Sequence, residues 1–237
     1  MSVYAVSDLH GMFDLYQEIT NFLKPEDKVY CLGDCSDRGP KPWETIKAVA
    51  SNPQFIYLKG NHEDMLAKAM EEYIRYDSFG KAFHLLAMNG GAETLQSWIA
   101  EGSNMGWKKY LNELPTYLEY ENEDGIKIVL CHAGLTPGHY LSNERDLLWD
   151  RSHIYDDAQD DNIICVHGHT PILSMISGWD GELKRIFGAR EDNYDCGAFW
   201  YCNDHKVNID CGAFFTNTTV LLDLNTFDEH IFSKSNN

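Results

Sequence analysis

Five short apolar runs in the chain are each followed at once by glycine and by Asp, Asn or His. The runs and their polar ends read VYAVSDLHGM (3–12), VYCLGDCSDRGP (29–40), FIYLKGNHED (55–64), IKIVLCHAGL (126–135) and IICVHGHTP (163–171). Short apolar runs that stop at turn residues are typical of buried strands. Because ligands of α/β sheets bind beyond the carboxyl ends of the strands, the five ends predict one shared site.

Segments with the spacing of helices follow the first three of these strands and cover residues 12–24, 41–51 and 64–76. The first stops before Pro25, and Pro42 suits the first turn of the second. Alternating strands and helices predict a partly parallel sheet with right-handed crossovers. Residues 63–113 read as consecutive helices, interrupted by NGG at 89–91, and we expect them to form a helical part beside the sheet.

The second half of the chain is richer in strands. Residues 115–132 predict two strands around an Asp124-Gly125 turn, and residues 206–227 alternate strands with turns. Residues 173–206 have no clear pattern. The simplest architecture is a mixed α/β (α+β) fold with a two-sheet core and flanking helices, and we expect residues 1–237 to form a single domain.

Composition narrows the function classes. Of the 237 residues, 43% are hydrophobic, which is enough for a sizeable core, and the formal net charge is −18. Such an acidic chain is a poor candidate for sequence-independent binding to a nucleic-acid backbone. Since no run of 18 apolar residues and no basic-plus-apolar leader is visible, we expect a soluble cytoplasmic protein without membrane contacts.

The seven cysteines include no CxxC pair, which makes a structural zinc ribbon improbable on spacing. We expect free thiols in a reducing compartment. A disulfide or a minor metal site among Cys196, Cys202 and Cys211 is the alternative that their closeness in sequence leaves open.

The polar residues at the five strand ends include a ligand set of oxygen and nitrogen atoms without thiolate, namely Asp8, His10, Asp34, Asn61, His132 and His169. Six groups exceed the needs of one tetrahedral ion but suit two ions, and this donor set favours Mn, Fe or Zn. A carboxylate such as Asp34 can bridge two cations roughly 3.5–4 Å apart, the spacing of two-metal hydrolases. Water bound between such cations loses its proton near neutral pH and becomes a nucleophile.

Further residues at these ends match the chemistry of a phosphate ester. Arg38 and Arg151 offer forked donors for phosphate oxygens. His62 has Asp37 and Glu63 as candidate partners, and a histidine held by a carboxylate is a good proton donor to a leaving alkoxide. The remaining histidines are interpreted as structural residues with satisfied hydrogen bonds, apart from His167, which stays open; they are His84, His139, His153, His205 and His230.

The motifs SDLHG, GDCSDRG, GNHE, CHAG and GHTP together resemble those of the calcineurin-like metallophosphoesterases, and more narrowly the phosphoprotein phosphatase branch. With MNGG, LLWDR and IDCGAFF, the order is similar to bacterial and phage enzymes of the bacteriophage lambda protein phosphatase type. The resemblance implies a β-sandwich flanked by helices, with the metal-binding loops at one edge.

The resemblance also implies residue roles. Asp8, His10 and Asp34 would bind a first divalent metal ion, and Asn61, His132 and His169 a second, with Asp34 bridging and manganese as the expected metal. His62 would be the general acid, paired with Asp37. The phosphate would be held by Arg38, Arg151, Asn61 and His62. The position before Asp37 is usually apolar in this branch but is Ser36 here. We expect residues 173–206 to be a variable insertion.

Three functions compete. The first is a serine/threonine phosphatase, with tyrosine as a further target, that hydrolyses phosphorylated proteins or small phosphate esters by direct in-line attack of a metal-bound water. The second is a dinucleoside polyphosphate hydrolase of the bis(5'-nucleosyl)-tetraphosphatase type, whose members often lack the acid corresponding to Asp37. The third is a metal-binding regulatory subunit without catalysis, which His62 and Arg38 argue against. Trp98 and Trp107 could stack a nucleobase, but core packing is the favoured interpretation.

Overall fold

The computed structural model describes residues 1–135, 143–155, 162–177 and 197–234. The strands of these ranges are Val3–Val6 (β1), Lys28–Cys31 (β2), Phe55–Tyr57 (β3), Tyr117–Glu121 (β4), Lys127–Cys131 (β5), Ile163–His167 (β6), Phe199–Tyr201 (β7), Lys206–Asn208 (β8), Thr218–Asp223 (β9) and Glu229–Ser233 (β10). They form two five-stranded sheets.

The first sheet has the strand order β10-β9-β1-β2-β3. Its β1, β2 and β3 are parallel, whereas β9 and β10 are antiparallel additions. The helices that connect and follow its parallel strands are Phe13–Phe22 (α1), Pro42–Ser51 (α2) and Asn61–Tyr76 (α3). The β-α-β-α-β-α order predicted from the sequence is therefore present.

The second sheet has the order β4-β5-β6-β8-β7. Strands β5, β6 and β8 are parallel, and β4 and β7 pair antiparallel at the two edges. The hairpin around Asp124-Gly125 lies where the sequence predicts it, because Asn122 accepts hydrogen bonds from Asp124 N and Ile126 N across the turn. Gly125 has a φ of 78°, the left-handed conformation that glycine adopts without strain.

Alternation along β1 shows how the layers pack. Val3 and Ala5 join a buried cluster that also contains residues of the second sheet, such as Ile128 and Val166. Tyr4 and Val6 face the other way, into a cluster with residues of the helices. A strand buried on both faces requires a continuous apolar run, which is what the sequence shows.

Helices cover the outer faces of both sheets. Beyond α3, the chain forms Lys81–Met88 (α4), Ala92–Ala100 (α5) and Met105–Glu113 (α6), which confirms the helices expected in 63–113. Trp98 of α5 is buried in the core, as expected. The remaining helical segments are Glu144–Trp149 (α7), a 3₁₀ turn at Ser152–Tyr155, Ile172–Ser177 (α8) and Ala213–Thr216 (α9). The predicted two-sheet fold with flanking helices is confirmed.

One boundary prediction is wrong. The sequence places Asn61 and His62 in a loop and begins the helix at residue 64, but α3 begins at Asn61. The cause is Glu63, whose carboxylate accepts a hydrogen bond from Gly60 N at 2.9 Å and closes the first turn. Asn61 and His62 are thus held on the rigid start of a helix.

The segment 173–206 is described only in part. Its described residues include most of α8, all of β7 and the first residue of β8, and Trp200 packs between the sheets. Whether this segment is a variable insertion, and whether residues 1–237 form one domain, stay predictions.

The cysteines of the described ranges are free thiols, as expected, and they are Cys31, Cys35, Cys131, Cys165, Cys202 and Cys211. Cys196 and His139 lie outside the described residues. None of the described helices combines the length and the apolar character needed to cross a membrane.

Candidate active site

The predicted ligands come together at the edge where the carboxyl ends of strands from both sheets meet. Several of them adopt a left-handed backbone conformation with positive φ, namely Asp8 (53°), His10 (40°), Asp34 (55°) and His169 (68°), as do Asp37 (69°) and Arg38 (66°). This conformation is uncommon for residues other than glycine and costs of the order of 1–3 kcal/mol at each position. The surrounding fold therefore holds these side chains in place against local preference.

Glu63 organises the loop that carries Asp34. It is fully buried, and its two carboxylate oxygens accept hydrogen bonds from the backbone N–H groups of Asp34 (2.7 Å), Cys35 (3.1 Å) and Ser36 (3.3 Å). Tyr57 donates a further hydrogen bond at 2.7 Å. The sequence suggested Glu63 as a partner of His62, but it instead fixes the backbone of residues 34–36.

Close approaches explain two of the motif glycines. A Cβ on Gly60 would lie 2.1 Å from Asp34 Oδ1, and a Cβ on Gly168 would lie 2.1 Å from Asp8 Oδ2. Any larger side chain would displace the carboxylates of the site. GNHE and HGH therefore need glycine because the backbone itself borders the ligands.

The first group of ligands centres on His10. Its Nδ1 donates to the Ser36 carbonyl at 2.8 Å, so the opposite nitrogen, Nε2, points toward the site. That Nε2 lies 3.9 Å from Asp8 Oδ1 and 3.7 Å from Asp34 Oδ2. The second oxygen of Asp8 accepts from Ser7 Oγ and from His169 N, which fixes its carboxylate.

The second group consists of Asn61, His132 and His169. His132 donates its Nδ1 proton to the Leu32 carbonyl at 2.9 Å, so that its Nε2 faces the other two side chains. Asn61 Oδ1 lies 2.9 Å from His132 Nε2 and 2.9 Å from His169 Nδ1. One amide oxygen and two imidazole nitrogens thus converge on one point, as ligands of a cation do.

Asp34 lies between the two groups. Its Oδ2 is 3.7 Å from His10 Nε2 and 3.4 Å from His132 Nε2, while Oδ1 accepts from His62 N at 3.0 Å. Two sets of metal-ligating atoms share this carboxylate: His10, Asp34 and His62, and Asp34, His132 and His169. The first set contains His62 instead of Asp8, so the geometry alone leaves His62 within reach of a metal ion.

The charges around the two ligand groups favour a positive charge between them. Burial raises the pKa of the Asp34 carboxyl, but His132 and His62 outweigh burial and hold that pKa well below its usual range. Burial lowers the pKa of His132, yet the Asp34 charge prevails and raises it to about 10. A buried carboxylate thus recruits a proton onto an imidazole, and a divalent cation would supply that charge instead.

His62 forms a buried ion pair with Asp37. His62 Nδ1 donates to Asp37 Oδ2 at 2.6 Å, and His62 Nε2 lies 2.9 Å from Arg38 Nη2. Burial lowers the pKa of His62, but the Asp34 charge and the hydrogen bond to Asp37 outweigh it, so the pKa is raised. A raised pKa favours the protonated ring that a proton donor requires.

Arg38 spans the site. Its Nη1 donates to His10 Nε2 at 3.0 Å, and its backbone N–H donates to the Gly90 carbonyl at 3.1 Å. Arg151 is exposed as a residue, but part of its guanidinium is buried. This burial lowers the pKa of Arg151 and outweighs the charges of Asp34 and Asp8, which act to raise it. Arg151 therefore lies close enough to Asp34, Asp8 and Arg38 for their charges to act on it, while Arg38 contacts the imidazoles of His10 and His62.

A model of the calcineurin-like phosphoesterase family matches residues 1–200 of the chain. The chain belongs to this family. Serine/threonine-protein phosphatase 2 of Escherichia coli is 28% identical over 228 residues, which cover 89% of this chain and 87% of that protein. A symmetrical bis(5'-nucleosyl)-tetraphosphatase of Vibrio parahaemolyticus is 27% identical over 221 residues, which cover 89% of this chain and 72% of that protein.

A solved structure has a similar fold. The crystal structure of a proposed diadenosine tetraphosphatase has a TM-score of 0.59 and 14% identity, covering 99% of this chain and 94% of that one. Identity this low shows the fold alone. Family membership and the names of the relatives show a hydrolase of phosphate esters, while the narrower lambda-type branch stays a prediction.

Several residues at this edge were given no role by the sequence analysis, although Asp210 and Phe214 belong to the IDCGAFF motif. Asp210 is buried nearby, and burial together with the charge of Asp8 raises its pKa well above the usual range. Phe214 of α9 lies with its ring centroid 5.8 Å from that of His10 and 5.1 Å from Arg38 Cζ. Thr94 of α5 donates to Asp37 Oδ1.

The other described histidines lie outside the two ligand groups. His167 Nε2 lies 2.7 Å from the Tyr201 hydroxyl, which gives this nitrogen a hydrogen-bond partner outside the ligand groups. His84 and His205 bond backbone carbonyls, and His230 packs against Tyr4.

The prediction that His153 is a satisfied structural histidine is wrong in one respect. Its side chain is buried, but neither ring nitrogen has a hydrogen-bond partner among the described residues, and the Asp150 carboxylate lies 3.9 Å from Nδ1. The ring packs edge-on against His167, with 4.8 Å between centroids, and Gly134 leaves room for it. Burial lowers the pKa of His153 well below its usual range, and the neighbouring His167 and Lys206 lower it further.

Proposed function

We propose that the chain is a metal-dependent phosphomonoester hydrolase that acts on phosphoserine and phosphothreonine in proteins, with phosphotyrosine as a further substrate. The observation that carries this proposal is the buried His62–Asp37 pair, with 2.6 Å between His62 Nδ1 and Asp37 Oδ2. The alkoxide of serine or threonine is a strong base and departs poorly without a proton. A positioned, protonated imidazole meets that need.

The proposed metal centre uses the two ligand groups described above. Asp8, His10 and Asp34 would hold one divalent ion, and Asn61, His132 and His169 would hold the other, with Asp34 shared. Manganese is the proposed metal, with iron or zinc as alternatives, because the donors are oxygen and nitrogen without thiolate. When bound, the two cations supply an acidified water molecule and neutralise charge on the phosphoryl group.

The remaining residues bind and orient the substrate. Arg38 and Arg151 would hold the phosphate through charge-assisted hydrogen bonds, and the Asn61 amide borders the same space. Arg38 Nη2 lies 2.9 Å from His62 Nε2, so a phosphate held by Arg38 places its leaving oxygen near the proposed proton donor. His62 Nε2 would then give its proton to that oxygen while Asp37 holds Nδ1.

A second candidate is hydrolysis of dinucleoside polyphosphates. Relatives named symmetrical bis(5'-nucleosyl)-tetraphosphatase support it, and so does an aromatic pair beside Arg38. Phe214 and Phe215 are 38% and 47% exposed, with 4.9 Å between their ring centroids. Exposed rings beside a phosphate-binding arginine could stack on a nucleobase. The phosphoanhydride leaving group of such a substrate is a weak base, however, and has less use for the His62–Asp37 pair.

Turnover by the full chain with Mn²⁺ decides between them. We expect kcat/KM for phosphoserine and phosphothreonine peptides to exceed that for diadenosine tetraphosphate by about tenfold or more. A tenfold excess in the opposite direction would replace the first candidate by the second. The Phe214→Leu variant gives an internal check, because a base-stacking ring predicts a selective loss on diadenosine tetraphosphate and little change on a phosphoserine peptide.

The partners and location expected from the sequence fit this proposal but stay predictions. A phosphorylated protein or a small phosphate ester is the expected partner, and no binding to a nucleic-acid backbone is expected from a chain with net charge −18. The cytoplasmic location also stays a prediction.

A further inference from the structure

The third residue of α5 reaches the proposed acid pair from outside the metal-binding motifs. Thr94 is fully buried, and its hydroxyl donates to Asp37 Oδ1 across 57 positions of sequence. Threonine inside a helix commonly bonds a carbonyl of the preceding turn. Here the Gly90 carbonyl, four residues earlier, accepts instead from Arg38 N, and the Thr94 hydroxyl is used at the site.

The two oxygens of Asp37 have separate partners. Oδ1 accepts from Thr94 Oγ1, and Oδ2 accepts from His62 Nδ1 at 2.6 Å. Asp37 is fully buried in the folded chain, and its two oxygens are bonded by these protein donors. Fixing one oxygen fixes the plane of the carboxylate, and that plane determines the direction in which the imidazole is held.

The start of α5 is shaped for this contact. A Cβ on Gly91 would lie 2.6 Å from Asp37 Oδ2 and 2.3 Å from Leu86 Cδ1. The absence of a side chain at position 91 therefore brings the first turn of α5 against the carboxylate. The break at NGG, which separates α4 from α5, is what allows the helix to approach.

We propose that Thr94 is a positioning residue that acts through Asp37 to orient His62 as the proton donor. This inference rests on the proposed proton-donor role of His62. It assigns the helical part of the chain a direct effect on catalysis, because the third member of the Thr94–Asp37–His62 chain is supplied by α5 and not by a metal-binding loop.

Two substitutions separate the hydroxyl from the packing. Thr94→Val keeps the branched shape and removes the donor, and Thr94→Ser keeps the donor and removes a methyl group. We expect Thr94→Val to lower kcat for a phosphoserine peptide by about tenfold, the effect of a lost hydrogen bond to a charged group. For p-nitrophenyl phosphate, whose leaving group needs little protonation, the loss should stay below about threefold. Thr94→Ser should remain within about threefold of the unsubstituted protein on both substrates.

The metal content and the thermal unfolding temperature of each variant are measured on the same samples. We expect neither to change enough to explain a loss that is selective for the phosphoserine peptide. If Thr94→Val does not fold, Thr94→Ala removes the same hydroxyl with a smaller side chain and replaces it in the experiment. Equal losses on the two substrates, or a Thr94→Ser variant as impaired as Thr94→Val, would reduce Thr94 to a packing residue and overturn the proposal.

A double-mutant cycle with His62→Asn tests whether Thr94 acts through His62. In the His62→Asn background, Thr94→Val should add less than about twofold to the loss, because residues that act as one unit are not additive. An undiminished tenfold loss would show that Thr94 does not act through His62, and the role of His62 would still stand. If His62→Asn itself shows no dependence on the leaving group, the proton-donor role fails and the inference fails with it.

Discussion

Asp34 Oδ2 lies 3.4 Å from His132 Nε2 and thereby joins the two sheets at the site. Asp34 follows β2 of the first sheet, and His132 follows β5 of the second. The same oxygen lies 3.7 Å from His10 Nε2. One carboxylate is therefore common to both groups of candidate ligands, and substitutions at this position should affect both groups.

We expect Asp34→Asn to weaken both metal sites by about tenfold or more, whereas Asp8→Asn should weaken one. The reason is that the Asp34 carboxylate lies near ligand nitrogens of both groups, whereas Asp8 is assigned to the His10 group and meets the second group only through the backbone N–H of His169. Elemental analysis across a series of free Mn²⁺ concentrations measures the two occupancies. Two ions bound with unchanged affinity in Asp34→Asn would show that Asp34 is not a bridge.

His62→Asn should leave two metal ions bound and lower kcat by about 10²–10⁴-fold for phosphoserine substrates, the usual effect of removing a positioned proton donor. The loss should shrink for p-nitrophenyl phosphate. Steady-state kinetics on both substrates, with metal content measured on the same samples, checks this. Because His62 Nε2 lies 3.8 Å from Asp34 Oδ2, loss of one ion is the outcome that would make His62 a ligand instead.

Glu63→Gln should destabilise the folded state by about 3 kcal/mol, because an amide NH₂ group cannot accept the hydrogen bonds that the buried carboxylate receives from the loop. The loop donors are Asp34 N, Cys35 N and Ser36 N. Urea unfolding of the variant gives the free energy. Glu44→Gln on the exposed side of α2 is the matched control and should change it by less than about 0.5 kcal/mol. Equal changes in the free energy of unfolding for the two variants would show that the Glu63 carboxylate does not hold the Asp34 loop in place.

Much of the site could be predicted because each candidate ligand is marked by the residues next to it in the sequence. Each ligand follows an apolar run at a turn, and the parallel arrangement of strands brings such ends together. The side-chain identities at Asp8, His10 and Asp34 then indicate the chemistry without knowledge of distances. The roles assigned to these residues nevertheless stay predictions, since the geometry is compatible with His62 as a ligand as well.

The features that the sequence did not predict depend on contacts between distant segments. α3 begins at Asn61 because Glu63 bonds both Gly60 and the Asp34 loop, and only the folded chain brings that loop close. Thr94 has no motif around it and acquires its contact when α5 packs against Asp37. Strand β7, Phe199–Tyr201, is three residues long and follows a polar segment. It is too short to show the alternation of apolar and polar residues that identifies a strand in a sequence.

The measurement that tests the account most directly is hydrolysis of p-nitrophenyl phosphate before and after metal removal, with the metal content of each sample determined by elemental analysis. The account predicts two divalent ions per active chain, loss of activity on exhaustive chelation, recovery on addition of Mn²⁺, and no phosphorylated side chain during turnover. Full activity in a sample shown to contain no metal would contradict it, because the convergence of Asp34 with His10 and His132 would then have no catalytic purpose.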